Sequence, residues 1–234
     1  MEWIIGLIVS VVLIALAIII GTTSKNNKGD YRDGGGTQVG GTHYIPPLKT
    51  REERAGLAGE HIVNRHLKPL LRNDEYLLAN LLLPLKNGYK TEIDCVIVSR
   101  KGIFCIETKN WVGNIRGNDE DEYWEQIYSQ PNRPKRQLKN PVRQNDAHCS
   151  VLEKVLQDLY DVENAVIFVG NTNIFGIDSD CVYTMRQFKK YYRNLDEDAI
   201  LEGELKPIYQ SLRPYVASQE DLEKHKRDLK KRFN

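Results

Sequence analysis

Glu107 and Lys109 stand two residues apart at the end of an apolar run, Ile103 to Ile106. A strand sends side chains at that spacing to one face, with α-carbons about 6–7 Å apart. Thr108 then faces the other way. Asp94 falls in the preceding apolar segment, so adjacent strands can bring its carboxylate beside that of Glu107. Two close carboxylates repel, and a divalent cation is the usual means of keeping both ionised. Hard oxygen donors favour Mg²⁺ or Mn²⁺ over Zn²⁺. The lysine ammonium would hold an attacking water or stabilise charge developing on a phosphate. A further acid, Glu60, lies on the helical segment that precedes both strands. The acid-x-Lys pattern is weak by itself, because it recurs at Glu204-Leu205-Lys206 and Asp228-Leu229-Lys230, where charge patterning on a solvated helix accounts for it. On spacing alone the alternative is an exposed ion pair at a sheet edge.

These residues need a scaffold, and the sequence supplies signals for one. Ala55, Ala58, Ile62, Leu67 and Leu70 or Leu71 recur near the helical period. Tyr76 to Leu83 reads as a strand stopped by Pro84. Asn87-Gly88 then marks a turn into Lys90 to Ser99, and Lys101-Gly102 a turn into Ile103 to Lys109. Gly113 to Tyr128 suggests an irregular hairpin. Asn140-Pro141 is a helix start, a capping side chain followed by proline in the first turn, with Val151, Val155, Leu156 and Leu159 extending the apolar face to Tyr160. Ala165 to Val169 and Val182 to Thr184 have the continuous apolar character of buried strands. Ser218 with Asp221 resembles a capping box opening a charged helix to Arg232. The order of elements predicts an α/β domain with a mixed sheet.

Trp3 to Gly21 holds about nineteen residues without a charge, close to the length that crosses a hydrocarbon core as a helix. Glu2 precedes it, and Lys25, Lys28 and Arg32 follow, so the positive-inside rule places the C-terminal side in the cytoplasm. Residues 3–21 are therefore expected to be a single-pass membrane anchor and residues 22–43, rich in Gly and Asn, a flexible tether. The domain is expected over 44–200, followed by a C-terminal helical extension at 201–234. Lys and Arg number 33 against 32 for Asp and Glu, so no global charge argues for a polyanionic partner. The 4 cysteines form no C-x-x-C pair, which removes the usual zinc and thioredoxin motifs and fits reduced thiols.

Ala58-Gly59-Glu60, Asn80-Leu81-Leu82-Leu83-Pro84, Glu92-Ile93-Asp94, Ser99, Gly102-Ile103-Phe104, Ile106-Glu107-Thr108-Lys109-Asn110-Trp111 and Asn140-Pro141 with Gln144 together resemble the nuclease-related domain, NERD. The match runs in order from about Ala55 to Val169, and ETKNW after an apolar strand is its most specific part. That family is similar to the PD-(D/E)XK, restriction-endonuclease-like nucleases. The resemblance implies a mixed central sheet flanked by helices and Mg²⁺-dependent (or Mn²⁺-dependent) DNA cleavage. It further implies Glu60 as a helix acid, Asp94 and Glu107 as metal-binding acids, Lys109 as the catalytic lysine and Gln144 as support from the following helix. Cys95 departs from the His that relatives often have there, which would alter the surroundings of the acids. Arg133, Lys135, Arg136, Lys139 and Arg143 lead into the helix of Gln144 and are candidates for DNA backbone contacts, with a solvated loop as the alternative. Trp111, Tyr123 and Trp124 are candidates for base stacking, or for packing. A membrane-anchored DNA endonuclease is the expected function; a non-catalytic DNA- or protein-binding module and an RNA-directed nuclease are the alternatives.

Overall fold

The computed structural model describes residues 50–233 except Pro131, and the expected anchor at 3–21 and tether at 22–43 lie outside these residues. From Ala55 onward the chain forms one compact unit. Helix α1 (Arg51–Leu67) comes first among the described residues, followed by β1 (Tyr76–Pro84), β2 (Lys90–Ser99) and β3 (Gly102–Lys109). These three strands are an antiparallel meander, as the turn residues between them require. Next come β4 (Gly113–Asn118), β5 (Tyr123–Ile127), β6 (Arg136–Lys139) and helix α2 (Pro141–Val155). The remainder is β7 (Val162–Phe168), β8 (Thr172–Asp178), β9 (Val182–Thr184), α3 (Met185–Asn194), α4 (Glu202–Leu212) and α5 (Gln219–Phe233). β7 adds to β3 in parallel and β9 to β7, giving a mixed five-stranded sheet in the order β1-β2-β3-β7-β9. A second sheet, β6-β5-β4-β8, has four strands.

The five-stranded sheet is covered on both faces, which is why its strands read as nearly unbroken apolar runs. Alternate residues of β3 part company: Ile103 and Cys105 pack with Leu152 of α2 and Ile208 of α4, while Phe104 and Ile106 pack with Val63 of α1 and Phe188 of α3. Cys95, Cys105 and Cys149 are buried free thiols and act here as small apolar groups. The C-terminal segment contributes to this core, since Leu205, Ile208 and Leu212 of α4 are all buried. No helix among the described residues is long and apolar enough to cross a membrane.

Three local expectations change. The buried stripe of α1 is Gly59, Val63 and Leu67, whereas Ala58 and Ile62 are exposed. Glycine decides this: a Cβ on Gly59 would stand 3.1 Å from Asn110 Cβ, 3.2 Å from Val169 Cγ2 and 3.3 Å from Thr108 Cγ2. The helix is therefore pressed on that face against the end of β3. Helix α2 starts where Asn140 and Pro141 place it, with the Asn140 side chain accepting from Val142 N and Arg143 N, but it ends at Val155. Gln157 and Asp158 adopt positive φ, 61° and 55°, which turns the chain out and leaves Leu159 exposed. Finally, part of the basic run is ladder rather than loop, because β6 pairs with β5 from Arg136 to Lys139.

Candidate functional site

β2 and β3 pair through Cys95 and Ile106, so one position further on, Asp94 comes opposite Glu107. Cross-strand neighbours in an antiparallel pair have Cβ atoms about 4.5–5.5 Å apart. Asp94 Oδ2 reaches over to accept from the backbone N–H of Thr108 at 2.8 Å. Asp94 also faces Asn80 of β1, between the pairs Ala79–Cys95 and Leu81–Ile93, where Asn80 takes a φ of 59°. The irregularity reverses the inward side of β1: Leu78 before it and Leu81 after it join the same core cluster.

Glu107 follows Ile103 and Cys105 onto the α2 side of the sheet, and there the helix meets it. Gln144 Nε2 donates to Glu107 Oε1 at 3.0 Å, and Lys109 Nζ donates to the same oxygen at 2.5 Å and to Gln144 Oε1 at 3.1 Å. These three side chains close a ring of hydrogen bonds, with Glu107 buried and Lys109 only 15% exposed. The lysine is held further by Trp111, whose ring centroid lies 5.7 Å from Nζ and which packs edge-on against Phe168. Asn145, next to Gln144, fastens α2 to the sheet by donating to Cys105 O at 2.8 Å and to Asn164 Oδ1 at 2.7 Å.

Glu60 approaches from the opposite side on α1. Beyond Gly59, Asn110 sets its height: Asn110 Nδ2 donates to Ala55 O at 2.8 Å and ties the first turns of the helix to the strand end. Gly170, at a φ of 76°, leaves room for that amide, since a Cβ there would meet Asn110 Oδ1 at 2.5 Å. Burial, opposed by Lys226 and reinforced by Glu92 and Glu107, raises the proton affinity of Glu60. Asp94 is pushed well above the ordinary carboxylate range, by burial first and then by Glu107 and Glu60. The three acids therefore act on one another where the middle of β2 meets the end of β3.

One residue that carries no motif of its own in the sequence belongs here. His148, a turn after Gln144 on α2, is buried with Nδ1 3.6 Å from Glu107 Oε2. Burial lowers its pKa despite Glu107, so the ring stays neutral. Spacing i, i+4 from Gln144 was its signal, since such residues share a helix face.

Asp94 and Glu107 suit a hard cation chemically, because crowded carboxylate oxygens are relieved by one. Among the described residues no three His, Cys, Asp or Glu side chains converge to hold a metal by themselves. Two acids with water filling the other positions is the way Mg²⁺ is commonly held, and a full protein cage is not. The aromatic candidates divide. Trp124 is fully buried beside Phe168, with its indole N–H on Asn118 O, and is core rather than a stacking platform. Trp111 and Tyr123 are half-buried.

The nuclease-related domain family matches residues 55–169. An uncharacterized protein of Bacillus anthracis is 26% identical over 187 residues, covering 76% of this chain and 85% of that protein. No solved structure matches.

Proposed function

The chain belongs, through residues 55–169, to the nuclease-related domain family of the restriction-endonuclease-like superfamily, and from that premise we propose that it is a membrane-anchored, Mg²⁺-dependent endonuclease that hydrolyses DNA phosphodiester bonds. The supporting observation is the convergence of the middle of β2 with the end of β3, with Asp94 opposite Glu107 and both Lys109 and Gln144 bonded to Glu107. Asp94 and Glu107 would hold the cation, which supplies Lewis-acid polarisation of the phosphate and of the attacking water.

The chain's own groups do the rest. Lys109 presents an ammonium beside the acids, fixed by Gln144 Oε1 and by the Trp111 face, where it can orient a water and neutralise charge developing on phosphate oxygens. Gln144 fixes the orientation of the Glu107 carboxylate. Glu60 would add negative charge from α1 and help to orient the water. In the reaction a water oxygen bonds to phosphorus and gives up a proton, one P–O ester bond breaks, and the departing alkoxide takes up a proton, leaving a phosphomonoester and an alcohol. Membrane attachment rests on the uncharged run Trp3 to Gly21, and a cytoplasmic domain on the basic residues that follow it.

The decisive experiment incubates the full chain in nonionic detergent with plasmid, linear and single-stranded DNA and with RNA, each with Mg²⁺, Mn²⁺ or EDTA. Nicking or cutting of DNA that needs the cation and is lost in Asp94→Asn is the expected result. A wild type that binds metal and DNA and cuts nothing would replace this reading with a binding module. Preference for RNA would change the substrate.

A further inference from the structure

Between Lys224 and Arg232 the chain carries six Lys or Arg and one acid, Asp228, although the whole molecule is within one charge of neutral. This stretch lies in α5, outside the family-matched residues. Leu222 and Leu229 are buried and define the inward stripe of the helix. At 3.6 residues per turn, Lys226 falls at one border of that stripe, and Lys230, Arg227, Lys231 and Lys224 follow in order around the outward side. Glu220 and Glu223 share this outward side nearer the helix start, so the basic face is confined to the stretch from Lys224 onward, where it extends from the packed edge of α5 to its solvent face.

The packed edge meets the acid cluster. Lys226 Nζ lies 3.0 Å from Glu92 Oε1, and Glu92 is two residues from Asp94 on β2. Burial works against the Lys226 charge, but Glu92, with Glu60 and Asp94, raises its pKa and keeps it cationic. The helix is also tied down at its start: Ala217 N donates to Asn80 O at 2.8 Å and Leu81 bridges to Val216, which sets the chain entering α5 against the strand position that faces Asp94. Ser218 and Asp221 then cap it through a 2.6 Å side-chain bond.

We infer that the basic face of α5 is the backbone-docking part of the nucleic-acid site, holding the phosphates of a duplex next to Glu60, Asp94 and Glu107. This rests on reading the acid site as one that acts on nucleic acid. A polyanion approaching three carboxylates is repelled, and a row of ammonium and guanidinium groups starting beside those acids offsets the repulsion and guides the backbone inward. Of the basic residues leading into and opening α2, all but the exposed Arg136 already have partners. Arg133 is stacked 3.4 Å over Tyr128, Lys135 pairs with Glu125, Lys139 lies between Glu122 and the Tyr123 ring, and Arg143 donates to Glu120 O.

The test measures binding of a fluorescent duplex of about 25 base pairs by anisotropy, using the full chain in nonionic detergent and EDTA, at several salt concentrations. The double variant Lys224→Gln/Lys231→Gln should weaken binding about tenfold and reduce the slope of log affinity against log salt by about 2, one for each phosphate that is no longer neutralised. Lys224→Glu alone should weaken it in the same direction. Lys135→Gln/Arg136→Gln should stay within about threefold of wild type. The inference is overturned by an α5 variant that binds like wild type, by a weakening that follows the Lys135 and Arg136 pair instead, or by a wild type with no duplex affinity. It is also overturned if the α5 variant keeps duplex binding and no longer binds phosphatidylserine vesicles, which would make α5 a lipid contact. Because this binding assay contains no metal, a chain that docks DNA through α5 here and cuts nothing in the Mg²⁺ and Mn²⁺ incubations removes the proposed hydrolysis and leaves this inference standing.

Discussion

The two sheets are built from the same hydrogen bonds and differ in what covers them. The five-stranded sheet has helices on both faces, and β3 is buried along all but its last residue. The four-stranded sheet has one packed side, where Ile115 and Trp124 meet Val166, Phe168 and Val142, while Phe175 on β8 is 93% exposed. Double coverage fixes register through shape, because slipping a strand by one residue would force every side chain into the packing of the other face. It therefore suits the sheet that must hold Asp94 opposite Glu107. The four-stranded sheet is more polar and alternates in burial along β5, and its packed side meets Trp111, the ring beside Lys109.

The largest expected effects are on the candidate chemistry of the covered sheet. Asp94→Asn or Glu107→Gln should lower DNA cleavage by about 10³-fold or more, and Lys109→Met by roughly 10²–10³-fold while metal binding persists. Single-turnover cleavage with parallel Mn²⁺ calorimetry separates the two classes. Equal loss of metal binding in Lys109→Met would break the assignment of separate roles.

Next come stability effects that set one sheet against the other. Leu152→Ala empties a fully buried position under the five-stranded sheet and should cost about 2–5 kcal/mol. Phe175→Ala on the other sheet should stay within about 0.5 kcal/mol. Denaturant melts with comparable costs for both would mean that the four-stranded sheet packs on something further. Gly59→Ala tests the pressed face of α1; contacts of 3.1–3.3 Å should cost about 1–3 kcal/mol and displace Glu60. Its loss of cleavage should exceed what its loss of folded protein explains.

A pH effect follows from Asp94. Burial, then Glu107 and Glu60, raises its folded pKa, so between the unfolded and folded values the native state binds more protons than the unfolded chain. For such an acid the stabilising contribution is present below the unfolded pKa, about 3.9, and is lost as pH rises through the folded value. In EDTA, the stability of wild type relative to Asp94→Asn should therefore fall with rising pH across that window, and Mn²⁺ should restore it. A difference that is flat with pH would place Asp94 in a less crowded setting. The smallest effect belongs to the polar sheet: Lys135→Ala breaks an exposed pair with Glu125 and should change stability by less than about 0.5 kcal/mol.

Much of the covered sheet was legible in the sequence. Turn residues at Asn87-Gly88 and Lys101-Gly102 delimit β1 to β3, and Asn140-Pro141 starts α2, because these signals act through neighbouring residues in the chain. The second sheet was only half legible. β8 was not anticipated, since TNIFGID has a bulged register with β4 and no clean alternation. Helix α3 also escaped, although Thr184 and Gln187 form a capping box and Phe188 and Tyr192 its buried face.

The sequence by itself determined the chemical types at the site and the strands that carry them, Asp94 within one and Glu107 and Lys109 at the end of the next, because strand periodicity and apolar runs are local properties. Tertiary structure decided which groups meet. It alone brought His148 onto Glu107, chose Gly59 over Ala58 as the face of α1 toward the sheet, buried Trp124, and carried Lys226 to Glu92 across more than half the chain. Such contacts depend on which faces a helix and a sheet must bury together, and that is settled by the packing of the whole core rather than by any one segment.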